Sequence, residues 1–161
     1  MNALLHDQRQ WMPMAVRHLD AVLAIENVAY PVPWTRGNFI DSIAAGYEAW
    51  LLVDAQQVLL GYFIAMDGVE EMHLLNITVA PARQGEGIAR FMLDRLVVLC
   101  REHHAHELWL EVRESNVRAK LLYSRYGFQP IRVRRGYYPL PPGQPGREDA
   151  AVMSLKVESE Q

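Results

Sequence analysis

Apolar positions repeat along the chain with two periods, and the switches between them mark out its elements. Residues 12–16 predict a short strand. Leu19, Val22, Leu23 and Glu26 fall at helical spacing and predict a helix over residues 19–29. Pro31 and Pro33 break it. Thr35 is then placed to cap a second short helix with Phe39, Ile40 and Ile43 as its apolar face. Three strand-like runs follow, residues 49–53, 58–66 and 72–79. Turn-forming stretches at 54–57 and at Asp67-Gly68 separate them, which predicts an antiparallel meander.

Residues 87–101 predict the strongest helix, with Ala89, Met92, Leu93, Leu96, Val97 and Cys100 on one stripe. Over residues 107–113 the period drops to two. Leu108, Leu110 and Val112 share one face; Trp109, Glu111 and Arg113 share the other. Residues 116–126 predict a helix that Gly127 ends in a left-handed conformation. Residues 128–134 and 151–157 predict the last two strands. Between them five prolines and glycines crowd residues 141–146, so residues 139–147 read as a long surface loop. The predicted order is strand, two helices, three strands, helix, strand, helix, two strands. That is an α/β fold with a mixed, mostly antiparallel sheet flanked by helices and at least one right-handed crossover.

Composition narrows the class without naming an activity. At 161 residues one domain over 1–161 is expected, with residues 1–11 as a possible flexible extension. Half the residues are hydrophobic, and Cys100 is the only cysteine, so no disulfide framework is available. A net charge of -3 argues against binding nucleic acid through bulk charge. No apolar run reaches the length of a membrane helix, and the polar start lacks a signal peptide's hydrophobic region. A soluble, cytoplasmic monomer is the expectation.

The segment Gln84-Gly85-Glu86-Gly87-Ile88-Ala89-Arg90 joins a strand to the main helix. A helix N-terminus exposes unpaired N–H groups, and two glycines let a phosphate approach them closely. The same pattern also serves as a plain tight turn. No Gly-Lys-Ser/Thr follows, so it is not a P-loop, and Arg90 stands where a dinucleotide fold would place a third glycine.

Gln84-x-x-Gly87-x-Ala89 after a strand is similar to the acyl-CoA signature of the GNAT N-acetyltransferases. The runs 108–113, Ser115-Asn116, Leu122-Tyr123 and Gly127-Phe128 resemble the second half of that fold. More narrowly, four segments resemble the branch that acetylates ribosomal-protein alanine in bacteria. They are Pro33-Trp34-Thr35, Leu75-Asn76-Ile77, Arg134-Arg135-Gly136-Tyr137-Tyr138-Pro139 and Gly146-Arg147-Glu148-Asp149-Ala150.

The resemblance implies transfer of acetyl from acetyl-CoA, a cosubstrate, to the N-terminal alanine of small-subunit ribosomal protein eighteen. Direct attack in a ternary complex is implied, with no metal. Glu111 corresponds to the base that deprotonates the amine, and Tyr123 to the acid that protonates the leaving thiolate. The implied coenzyme A contacts are Ile77, Thr78, Val79, the run Gln84, Gly85, Glu86, Gly87, Ile88, Ala89 and Arg90, and Asn116. Trp34, Tyr137 and Tyr138 are candidates to line a small pocket for the alanine side chain.

Each residue also has a plainer reading. Glu111 alone reads as a solvated carboxylate paired with Arg113, Asn116 as a helix cap, and Arg90 as the i+4 partner of Asp94. His103, His104 and His106 read as a solvated helix end rather than a metal site. Arg132, Arg134 and Arg135 form a basic patch. The rival activities are acetylation of lysine or a small-molecule amine, and a non-catalytic acyl-CoA-binding module. No direct contact with nucleic acid and no membrane association is expected.

Overall fold

The computed structural model describes residues 8–159, which divide into two compact units. Residues 8–65 with Asn76–Leu93 form one; Met66–Leu75 with residues 94–159 form the other. Among the described residues are seven strands: β1 (Gln10–Pro13), β2 (Glu48–Val53), β3 (Leu59–Asp67), β4 (Glu71–Val79), β5 (Glu107–Arg113), β6 (Gln129–Pro139) and β7 (Arg147–Lys156). The four α-helices are α1 (Leu19–Ala29), α2 (Arg36–Ala44), α3 (Ile88–Glu102) and α4 (Val117–Tyr126). The sheet is mixed and mostly antiparallel, as the alternation of elements predicts.

In the first unit, β1 and β2 pair antiparallel from Gln10↔Val53 to Pro13↔Trp50, and β2 pairs antiparallel with β3. Trp11 explains why a strand forms this early. It meets Phe63 edge-on at 5.4 Å and stacks on Phe91 at 6.0 Å. Gln10 and Trp11 are therefore strand, not extension; residues 1–7 of that predicted extension lie outside the described residues. The predicted strand at 12–16 begins two residues earlier and ends at Pro13, after which Val16–His18 form a 3-10 turn. Helix α1 runs over the predicted residues and buries Leu19, Val22 and Glu26. Thr35 caps α2 by accepting from the Asn38 N–H, but α2 buries Phe39 and Ser42, leaving Ile40 exposed.

In the second unit, β4 and β5 run parallel, with His73 opposite Trp109 and Leu74 opposite Leu110. A parallel pair needs a crossover, and α3 supplies it. Strand β5 buries Leu108, Leu110 and Val112 and leaves the alternate face partly open, the predicted alternation. It pairs antiparallel with β7, and β7 with β6. Asn116 caps α4 by accepting from the Ala119 N–H, and Gly127 ends it at φ +126.

The predicted loop at 139–147 is shorter than expected, because β6 continues to Pro139 and β7 starts at Arg147. Side chains hold these extensions. Arg147 donates to the carbonyls of Gly136 and Tyr137, and the Gly136 N–H donates to Asp149. The stripe on α3 also differs slightly: Ile88, Met92, Leu93, Leu96, Leu99 and Cys100 are buried, while Ala89 and Val97 sit at its margin.

Candidate active site

The open face of β5 carries the chemistry of the second unit. Glu111 projects from it with a side chain only 6% exposed. Arg113, its expected partner, is taken elsewhere: its Nη1 lies 3.1 Å from Glu148 Oε1, and Glu148 Oε2 accepts the Ser115 N–H at 2.7 Å. Glu111 instead meets His73 of β4, whose Nε2 hydrogen-bonds Oε1. The imidazole lies flat on the Trp109 ring, centroids 3.6 Å apart and planes 7° apart.

The other carboxylate oxygen, Oε2, is buried and has no hydrogen-bond partner of ordinary geometry. Arg134 Nη1 is 3.7 Å from it, and the Tyr137 hydroxyl stands close enough to stabilise its charge. Burial raises the pKa of Glu111, but the hydrogen bonds from His73 and Tyr137 and the charge of Arg134 outweigh it. The group therefore sits below its ordinary value and is ionised at neutral pH. A buried, ionised carboxylate is equipped to receive a proton from a cationic group.

Tyr137 and Tyr138 lie edge to face at 5.0 Å. Arg113 sits over the Tyr138 ring at 4.5 Å and Arg134 over the Tyr137 ring at 5.1 Å. Burial, followed by the nearby Glu111 charge, raises both phenols, so they stay neutral donors. Of the predicted basic patch, Arg132 and Arg135 are exposed while Arg134 turns toward Glu111. Tyr123 is buried on α4 against Phe128, ring centroids 5.5 Å apart. Tyr126, one turn on, is half-buried and donates to Asp94 Oδ1 at 2.7 Å.

In the first unit, Ile77, Thr78 and Val79 form the end of β4. The Thr78 side chain is buried, donating to Asn76 Oδ1 at 2.7 Å, and the Tyr30 hydroxyl reaches the Ile77 carbonyl at 2.9 Å. After the 3-10 turn Pro81–Arg83, residues 84–87 are exposed and lead into α3. Gly85 and Gly87 adopt φ +87 and +76, and a Cβ on either would meet nothing within 4 Å. The backbone there is open to a large anionic group at the start of a 15-residue helix, which fits a pyrophosphate. Arg83 and Glu86 brace the turn with Nε and Oε2 3.3 Å apart. Ile88 is buried, Ala89 half-buried and Arg90 exposed.

Trp34, the third candidate for the alanine pocket, belongs to this unit, where it packs on Phe39 at 5.1 Å. Its backbone N–H donates to Glu26 Oε2 at 2.9 Å. Glu26 is 1% exposed and its Oε1 also accepts from Tyr62 and Asn76, at 2.8 and 3.2 Å. Helical spacing places Glu26 on the buried face of α1, but only the fold reveals these donors.

Cys100 is buried, and burial pushes its thiol up to about 11. A thiol held that far above neutral pH is a poor nucleophile. His103, His104 and His106 do not converge: His103 faces Asp67 at 3.6 Å, and the His106 N–H bonds the Glu70 carbonyl. Among the described residues no group of three His, Cys, Asp or Glu side chains is placed to hold a metal ion. No described helix is long and apolar enough to cross a membrane.

Residues 19–128 match the acetyltransferase (GNAT) family. The chain is 38% identical over 130 residues to the [ribosomal protein bS18]-alanine N-acetyltransferase of Haemophilus influenzae, covering 81% of this chain and 86% of that one. It is 34% identical over 139 residues to the same enzyme of Escherichia coli, covering 86% and 91%. The crystal structure of the ribosomal-protein-S18-alanine N-acetyltransferase from Escherichia coli superposes with a TM-score of 0.82 at 31% identity, over 95% of this chain and 96% of that one.

Proposed function

The chain belongs to the GNAT acetyltransferase family, and on that premise we propose that it acetylates the N-terminal alanine of ribosomal protein bS18. The acetyl group comes from acetyl-CoA, the acyl donor of this family. The observation that carries the proposal is the Glu111 carboxylate, buried and ionised, with Oε1 held by His73.

An α-amine has a pKa of about 7.7–8.0 and is largely protonated at neutral pH. Only the neutral amine attacks a thioester. Glu111, held below its ordinary value by His73, Tyr137 and Arg134, is a weaker base than the amine, so taking the ammonium proton outright is uphill. The base therefore works best as the N–C bond forms, when the nitrogen turns strongly acidic, or through one water.

The C–N bond forms and the C–S bond breaks. Of the two protons the ammonium gives up, one leaves through Glu111 to solvent. The other is balanced by protonation of the thiolate, for which Tyr123 is the candidate donor. In the first unit, the backbone of residues 84–90 is the candidate pyrophosphate cradle. The end of β4 supplies Ile77 and Thr78 and a candidate N–H donor, Val79, for the thioester oxygen. Asn116 is a further candidate contact to coenzyme A, compatible with its role as helix cap. Trp34, Tyr137 and Tyr138 remain the candidates for the substrate side chain.

Steady-state kinetics of Glu111→Gln test this assignment. Loss of a general base lowers kcat by about 10²–10⁴, with KM for acetyl-CoA little changed. An unchanged kcat removes Glu111 from the chemistry.

A further inference from the structure

Glu111 was legible as a candidate base; its hold by His73 is new, and it has a consequence for the reaction. The two residues come together through the parallel register. His73 stands opposite Trp109, and Glu111 lies two residues further along the same face of β5. Two residues of strand span about 7 Å, a distance an imidazole and a Glu side chain close together. The stack on Trp109 fixes the ring plane, so Nε2 is aimed along the sheet at the carboxylate. An ionised carboxylate only accepts, so the shared proton sits on Nε2.

We infer that His73 is a positioning residue for the base: its Nε2–H holds Oε1 of Glu111 and thereby presents Oε2 to the substrate amine. This rests on Glu111 being the base. The burial of both side chains, 13% and 6% exposed, makes the hydrogen bond stronger than it would be in water. Without it the carboxylate can rotate, and Oε1 loses the donor that holds it.

The remaining groups around Glu111 cannot replace that donor. Arg134 of β6 faces Oε2 at 3.7 Å, and Tyr137 of β6 already serves the carboxylate. Tyr138 of β6 is near enough to feel the charge but sits under Arg113. On β5, Arg113 is committed to Glu148 of β7. The β7 residue opposite Glu111 is Val152, which has no donor on its side chain.

Three variants separate positioning from packing. His73→Phe keeps a ring on Trp109 and removes the donor. His73→Gln puts an amide nitrogen at the same number of bonds from Cβ as Nε2, whereas His73→Asn places it one bond short. The expected result is a kcat loss of about tenfold or more in His73→Phe, with peptide KM within about twofold. The acid limb of its kcat/KM profile moves to higher pH. His73→Gln restores most of kcat and His73→Asn does not.

In parallel, the carboxyl of Glu111 is titrated by ¹³C NMR in the full chain, its resonance identified by its absence in Glu111→Gln. It should titrate at higher pH in His73→Phe. An unmoved carboxyl titration, or a loss equal at every pH and not restored by Gln, overturns the inference. Full activity of Glu111→Gln overturns the base reading instead, a result that the carboxyl titration cannot mimic.

Discussion

Arg113 Nη1 and Glu148 Oε1 lie 3.1 Å apart, with side chains 19% and 15% exposed. This pair ties β5 to β7 next to the candidate base and keeps the nearest arginine of its own strand off Glu111. Glu148 also accepts from Ser115, whose side-chain hydrogen bond is the largest cause of a pKa below the ordinary 4.5, with the Ser115 N–H and Arg113 adding to it. A depressed carboxyl stabilises the fold above its unfolded value, and that contribution is lost as pH falls through the folded value.

Glu148→Gln should therefore be less stable than the parent at pH 7, by about 1–2 kcal/mol. The gap should close on acidification, as pH falls through and below the ordinary carboxylate range. Urea denaturation across that range checks it; a gap independent of pH counts against the ion pair. Glu111, also depressed, adds an acid-side loss of the same sign.

Glu26 tests the other buried carboxylate. Its removal leaves the Trp34 N–H, the Tyr62 hydroxyl and the Asn76 amide without their acceptor. Burial and then the Glu26 charge already hold the Tyr62 phenol far above its usual value, so it cannot relieve the loss by ionising. Glu26→Ala should cost about 3 kcal/mol or more, and Glu26→Gln clearly less because an acceptor oxygen remains. Equal costs in the two variants would mean that volume, not hydrogen bonding, sets the effect.

Gly87→Ala separates strain from binding. The added Cβ has open space, so the cost to folding is that of a positive φ, about 1–3 kcal/mol. If the residues at 84–90 cradle a pyrophosphate, that Cβ also narrows the approach to the backbone. Calorimetric titration should then show coenzyme A binding weakened about tenfold, or 1.4 kcal/mol. Unchanged affinity in a folded variant would move the phosphate away from this turn.

Gly61→Ala is a packing control within the first unit. Its Cβ would come within 2.7 Å of the Thr78 carbonyl oxygen and 3.0 Å of Met92 Cε. Methionine can move aside, but the backbone oxygen of β4 cannot do so cheaply. Thermal denaturation should show a loss of about 1–3 kcal/mol; wild-type stability would mean that β3 and β4 separate easily.

Much of this architecture was legible in local pattern. The alternation over 107–113 gave β5 at its observed ends, because one face of that strand is buried. The spacing of Leu19, Val22 and Glu26 gave α1, and Asn116 and Gly127 marked both ends of α4. Strand β6 was the hardest to bound. Ile131 and Val133 are both about half exposed, so no alternation marks it, and pairing with β7 alone carries it to Pro139.

The site was legible by residue type but not by partnership. Glu111 and Arg113 share a face, which suggested a pair. The fold gives Arg113 to Glu148 and brings His73 to Glu111 across 38 positions of sequence. That meeting depends on the β4–β5 register, set after the α3 crossover, which no local pattern encodes. The one available signal was that His73 falls on the less buried face of β4, beside Leu75, Ile77 and Val79.

Acetylation of an N-terminal alanine is tested by mass spectrometry of a peptide panel incubated with the protein and acetyl-CoA. The peptides carry the N-terminal sequence of bS18, differ only in the first residue, and each contains an internal lysine; one is blocked at its α-amine. An N-terminal alanine acetyltransferase leaves a single acetyl group on the α-nitrogen, fastest for alanine, and none on the blocked peptide. Acetylation of the blocked peptide at lysine, with the free α-amines untouched, would contradict that activity.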